Sequence, residues 1–233
     1  MFQHLHLFHQ FRLTVAAAAF GLASMCTVSL SHADVIISEV MYNPHGNNQW
    51  EYLELFNRGD VDLDLTGYEL QRGSNVATID GGLLPASGVA VLIRSDGSGG
   101  RTLEGYQAAW GEDINFLETT DWPGLILGGG TITIRDPAGN TVVQMTYGVE
   151  DPWPEAEGAT AGGWSLTIGG DPFREDWDAP DNWVQSVEGE LGAWRANSPR
   201  DNDIGSPGFV IPEPASAALL GMFSGALLLR RAS

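Results

Sequence analysis

One histidine, His45, stands outside the first 33 residues, in the loop from Pro44 to Asn48. A serine–histidine–carboxylate triad would have to use it, with a serine brought close by folding. No serine carries the small-residue elbow pattern that exposes a nucleophile. The chain has no lysine and a single cysteine, Cys26. A zinc centre built from several imidazoles or thiolates is therefore excluded by composition. A phosphate loop lacks its lysine, and Gly128-Gly129-Gly130 leads into a strand pattern rather than a helix. Carboxylates remain. A glycosidase needs only two of them at the right separation. With 30 acidic residues chance pairs are common, and a solvated acidic face is the reading that such abundance favours.

Three groups of residues nevertheless stand out. Glu39 and Glu54 lie in segments that read as strands and could be neighbours. They could accept backbone hydrogen bonds, pair with an arginine, or share a cation. Asp201-Asn202-Asp203-Ile204-Gly205 echoes the start of a calcium loop, with oxygen ligands at alternate positions and a turn glycine. Its terminal acidic ligand is missing, because Ser206-Pro207-Gly208 follows. Calcium at Asp201 and Asp203 is the one cofactor the sequence suggests; otherwise none is expected. Five of the eight tryptophans come after residue 150. Trp164 and Trp183 sit in strand patterns and read as core. Trp153, Trp177 and Trp194 are left as candidates for stacking on sugar rings, with the acids around Trp177 as partners for hydroxyls.

The chain has 233 residues, with 11 basic residues against 30 acidic ones and a net charge of -19. Such a balance argues against nucleic acid as a partner, because phosphate binding needs clustered cations. Thirty glycines, twelve prolines and many short apolar runs point to a loop-rich β protein. Residues 1–33 read as a secretory signal. Arg12 lies in a polar start, an apolar stretch runs from Leu13 to about Leu30, and Ser31-His32-Ala33 offers small residues for cleavage between Ala33 and Asp34. An uncleaved anchor or a buried helix is the competing reading. Cys26 would leave with the signal; as a lipoprotein acceptor it would be preceded by Met25 where a small residue is expected. The mature chain would then have no disulfide and no thiol chemistry.

The far end repeats the pattern of an address. Ile211-Pro212-Glu213-Pro214 precedes an apolar run, residues 215–229, and Arg230-Arg231 follows at once. As a helix those 15 residues would span about 22 Å, short of the ~30 Å hydrocarbon core. The order of motif, apolar stretch and basic cluster resembles the PEP-CTERM sorting signal. That resemblance implies recognition by an exosortase in the membrane, with the protein released into or tethered at the cell surface. A plain C-terminal anchor is the alternative. Between the two ends, residues 34–209 retain 29 acids and eight arginines, once Glu213, Arg12, Arg230 and Arg231 are set aside, so this part is near -21.

The elements that would position these residues are strands. Ile132 and Ile134 alternate with Thr131, Thr133 and Arg135; Val143, Met145 and Tyr147 alternate with Val142, Gln144 and Thr146. Asp136-Pro137-Ala138-Gly139-Asn140 between them predicts a hairpin. Further strands are expected at 35–42, 50–57, 67–71, 89–94 and 164–168. Val89 to Ile93 lacks alternation and should be buried on both faces. Asp60, Asp62 and Asp64 alternate with Val61, Leu63 and Leu65, as in an edge strand with one buried face. Residues 103–110 are the one expected helix. Seven or more short strands with turns between them suggest a sandwich.

Ile36 to Pro44, then Trp50 to Leu70, resemble the opening of the lamin tail domain. Glu39, Glu54, Asn57, Leu65, Gly67 and Leu70 fall on that family's positions, and the pieces YGVEDPWP, GGWSLTI, NWVQS and GSPG are similar to the closing half of bacterial members. The resemblance implies an all-β, immunoglobulin-like β-sandwich over 34–209, flanked by the signal peptide of 1–33 and the sorting tail of 210–233 with its short apolar helix. It implies little about function. The expectation is a secreted or surface-anchored, non-enzymatic binding or structural module of an extracellular matrix. Signal peptidase and exosortase would process it, the tail would meet the membrane, and an extracellular polysaccharide or surface protein would be its ligand. A carbohydrate-binding module is the narrower version, and a secreted carboxylate-based hydrolase is the rival.

Overall fold

The computed structural model describes residues 34–46, 50–119, 121–154 and 162–209. The expectations for the signal peptide and its Ala33 junction, and for Pro212, Glu213, Pro214, the apolar run, Arg230 and Arg231, lie outside the described residues. No helix among the described residues is long and apolar enough to cross a membrane.

In chain order the strands are β1 (Val35–Met41), β2 (Tyr52–Asn57), β3 (Leu63–Asp64), β4 (Glu69–Arg72), β5 (Asn75–Thr78), β6 (Leu83–Leu84) and β7 (Val89–Arg94). A single α-helix among the described residues, α1 (Leu103–Trp110), comes next. After it come β8 (Phe116–Thr119), β9 (Gly130–Arg135), β10 (Thr141–Tyr147), β11 (Leu166–Ile168), β12 (Trp183–Gln185), β13 (Trp194–Arg195) and β14 (Ile204–Gly205). They form a six-stranded sheet, β12-β11-β1-β2-β7-β8, and a four-stranded sheet, β10-β9-β4-β5. Two small ribbons, β3-β6 and β13-β14, complete the set.

The two large sheets face each other across one apolar cluster. Val40, Leu53, Leu55, Ala90, Leu92 and Leu166 come from the six-stranded sheet, and Leu70, Ile132, Ile134, Val143, Met145 and Tyr147 from the other. This is the sandwich that strand number and turn spacing suggest, in the immunoglobulin-like form that the resemblance implies. The β9–β10 hairpin forms as predicted. Asp136 Oδ1 accepts from the backbone N–H groups of Ala138 (3.0 Å) and Asn140 (2.8 Å), an Asx turn that closes the reversal.

The six-stranded sheet is covered on its second face as well. Met41, Tyr52, Val91 and Ile93 alternate with the inner residues and pack against Tyr106, Ala109 and Trp110 of α1 and against Ala196. Hence the unbroken run Val89 to Ile93: Ala90 and Leu92 serve one cluster, Val91 and Ile93 the other. The helix lies on that face because it links β7 to β8, which pair in parallel, and a parallel pair needs a crossover connection. Thr102 caps it, its hydroxyl accepting from the Gly105 N–H at 3.1 Å.

Sequence patterns slightly overstate several strands. The acids Asp60, Asp62 and Asp64 do point outward while Leu65 is buried, but only Leu63 and Asp64 are paired. Asp62 and Asp64 instead accept the Ala86 and Thr66 N–H groups, both at 2.9 Å, so turn chemistry replaces a longer edge strand. β8 and the two-residue strands carry no pattern long enough to read.

Candidate functional site

The fold builds its most unusual polar site from a β-bulge. Ile37 pairs with Leu55 and Glu39 with Glu54, so β1 holds one extra residue, Ser38, at that point. Ile37 and Glu39 share parity and would otherwise share a face. The bulge sends Ile37 into the sandwich core and sets Glu39 directly across from Glu54 on the outer face. It also aims the Ser38 hydroxyl at Glu54 Oε1, 2.7 Å away. Both glutamates are sealed, at 0% and 2% exposure.

What seals them is the C-terminal strap that continues from β14. Glu39 Oε1 accepts from the Tyr52 hydroxyl (2.6 Å), the Ser165 hydroxyl (2.5 Å) and the Ser206 N–H (2.8 Å), and Oε2 accepts from the Ser206 hydroxyl (3.0 Å). Glu54 Oε2 accepts from the Gly208 N–H at 2.6 Å. Burial raises both carboxyls above their ordinary range, and the charge of Glu39 pushes Glu54 further up. The donors around Glu39 pull it back down. Glu39 is thus the member built to hold the charge, and Glu54 the member built to hold a proton. Neither carboxylate meets an arginine among the described residues; the partners are hydroxyls and backbone N–H groups.

A third buried glutamate, Glu51, immediately precedes β2. Its Oε2 accepts from the Trp122 indole N–H (2.6 Å) and the Leu125 N–H (2.8 Å), pinning the 121–125 loop to β2. Burial raises its carboxyl to about 7 against those donors. Nothing in the sequence sets it apart from the surface acids.

The Asp201–Asp203 pair divides. Asp203 is buried and bound to Arg200 at 2.6 Å, and its Oδ1 accepts from the His45 N–H at 2.6 Å. Asp201 is exposed, and its carbonyl accepts from Arg195. The alternate acids therefore do not converge as ligands. No group of three or more His, Cys, Asp or Glu among the described residues is placed to hold a metal ion. His45 itself is exposed, and its carbonyl accepts from Arg200 at 2.7 Å. It serves as a backbone anchor for the same ion pair.

The tryptophans need correcting too. Trp177, expected on a binding face, is 8% exposed and belongs to the inter-sheet core, where its carbonyl accepts from the Trp183 indole. The acids around it, Glu175, Asp176 and Asp178, stay outside. Trp153 packs on Trp183 at 6.1 Å and Trp194 on Trp110 at 5.8 Å, against different clusters. They share no common face. Trp183 is core as expected. Trp164 is not; it is half-buried and lines a groove of about 580 Å³ with Gln185, Ser186, Glu188 and Arg195. The segment's strand pattern hid this, because β11 begins only at Leu166.

A six-stranded and a four-stranded sheet packed face to face around one apolar core make this a module of the immunoglobulin-like class. Residues 29–149 match the Lamin Tail Domain family, more than half of the chain, and the protein belongs to that family. Neither a curated protein nor a solved structure matches the chain. The sheet itself runs past the matched stretch, since β11 and β12 extend it beyond β1.

Proposed function

We propose that the chain is a secreted, surface-displayed, non-enzymatic module that binds or scaffolds material in an extracellular matrix. The observation that supports this reading is the state of Glu39 and Glu54. They are the pair best placed for acid–base chemistry, yet four donors occupy Glu39 and the strap covers both. A carboxylate that acts on substrate must reach it within hydrogen-bond distance. These two act as a staple between sheet and strap. Membership of a family of immunoglobulin-like modules points the same way.

Delivery follows from the two ends. Signal peptidase would cut after Ala33, the residues 215–229 would hold the chain in the membrane, and an exosortase would read Pro212-Glu213-Pro214. The prolines keep that motif from becoming helix, and Glu213 gives the enzyme a charge to read. Intact-mass measurement on surface protein from a host with a matching exosortase tests this. The expected chain starts at Asp34 and lacks residues 215–233. Replacing Pro212, Glu213 and Pro214 by alanine should leave the longer form in the membrane fraction. Surface protein still ending at Ser233 would refute the sorting reading and leave a plain anchor.

A further inference from the structure

The groove at Trp164 lies at the free edge of the six-stranded sheet, where β12 is the outermost strand. Its volume, about 580 Å³, falls in the range of small-ligand sites, roughly 300–1,000 Å³. Three chemistries meet there. Trp164 supplies an aromatic surface that is neither core nor fully exposed. Val187, half exposed, supplies an apolar neighbour. Glu188 and Arg195 supply a polar fork, 51% and 44% exposed.

That fork is already paired within the chain. Arg195 Nε and Nη2 both donate to Glu188 Oε2, at 3.1 and 2.8 Å, and Nη1 donates to the Asp201 carbonyl at 3.2 Å. Three bonds hold the guanidinium plane. Since both bonds to the carboxylate land on Oε2, Oε1 accepts from neither. The groove floor is bonded as well: the Ser186 hydroxyl bonds that of Ser165 at 2.6 Å, and Ser165 donates to Glu39. Side chains already bonded to one another have less freedom left to lose on binding, which favours affinity.

The charge balance selects the ligand. Glu188 and Arg195 cancel locally, while the domain around them is near -21. Polyanions, uronate polymers among them, are repelled. A cation finds its carboxylate already paired. An uncharged molecule with one apolar face and a rim of hydroxyls fits all three features, because its C–H face can lie on an indole while vicinal hydroxyls bond a carboxylate and a guanidinium. We propose that this groove binds a neutral saccharide, its ring face on Trp164 and its hydroxyls on Glu188 and Arg195. The proposal rests on the reading of the protein as a non-enzymatic matrix module and adds its ligand class.

The test is affinity electrophoresis and titration calorimetry on the purified full chain. Neutral probes are soluble β-glucan, xylan, mannan and galactan; polygalacturonate is the anionic control, and an extended valine-rich peptide reports strand addition to β12. At least one neutral polysaccharide should bind and polygalacturonate should not. Trp164→Ala should weaken binding at least tenfold. Glu188→Gln, a change at an exposed side chain that keeps the fold, should weaken it several-fold with an unchanged melting temperature. No binding to any neutral probe, preference for polygalacturonate, peptide binding instead, or saccharide binding that neither variant weakens would each overturn the proposal. Reducing ends released in the same incubations would refute the non-enzymatic reading while leaving the groove a saccharide site. A groove that binds nothing, on a protein found at the surface, would refute only the saccharide.

Discussion

Glu54 sits opposite Glu39 in a place where two full charges would repel each other in a dry environment. Its folded-state carboxyl is raised, as are those of Glu39 and Glu51. Between the unfolded value near 4.5 and the folded value, the native state therefore binds more protons than the unfolded chain. Stability from these groups is full below about 4.5 and is lost as pH rises; for Glu51 the window ends at about 7. Asp96 works the other way, since Arg101 holds it down to about 2, and its contribution disappears as pH falls below 3.8. The melting temperature should accordingly be higher at pH 5 than at pH 8, and Glu54→Gln should flatten that decline. A stability that climbs steadily from pH 5 to pH 8 would contradict the assignment. The cage also explains a glycine. A Cβ on Gly205 would collide with the Tyr52 hydroxyl and stand 2.8 Å from Glu39 Oε1. Gly205→Ala should cost about 1–3 kcal/mol in denaturant unfolding, through overpacking alone.

At the scale of elements, the strap that seals the glutamates is tied down by its own ion pair. Arg200 and Asp203 are 9% and 2% exposed, and between them they hold the His45 backbone on both sides. Breaking one partner leaves the other buried and charged. Asp203→Ala is expected to cost roughly 3–5 kcal/mol, with or without calcium. Thermal melts at both conditions check this. The aromatic segment 171–183 behaves in the same structural way: Trp177→Ala should lose about 3–5 kcal/mol by emptying the core, rather than lose a ligand. A variant with wild-type stability and abolished saccharide binding would restore Trp177 to the surface.

Most of the acids of residues 34–209 are charges on the outside of an apolar core, with Glu39, Glu51, Glu54 and Asp203 buried. A domain near -21 repels itself, and divalent ions should relieve that by screening. Because Asp203 is committed to Arg200 and Asp201 stands apart, magnesium and calcium should raise the melting temperature equally. A rise confined to calcium and lost in Asp203→Ala would instead establish a specific site.

Alternation and turn chemistry were enough to read much of this protein from its sequence. Unbroken apolar residues at 89–93 announced a doubly covered strand, Asp136 to Asn140 a hairpin, and 103–110 a helix, because each depends on neighbours close in the chain. The resemblance carried by Glu39, Glu54, Asn57 and Gly67 reached the sandwich. The tertiary structure alone decided what those residues do. A single extra residue at Ser38 reverses which face Glu39 takes, and no local pattern marks where a bulge will fall. The covers over Glu39 and Glu54 come from Ser165, Ser206 and Gly208, more than a hundred positions away from either glutamate. Trp177 is buried and Trp164 only half-buried for the same reason: burial is set by what packs on a side chain, and that is fixed by segments the local sequence does not contain.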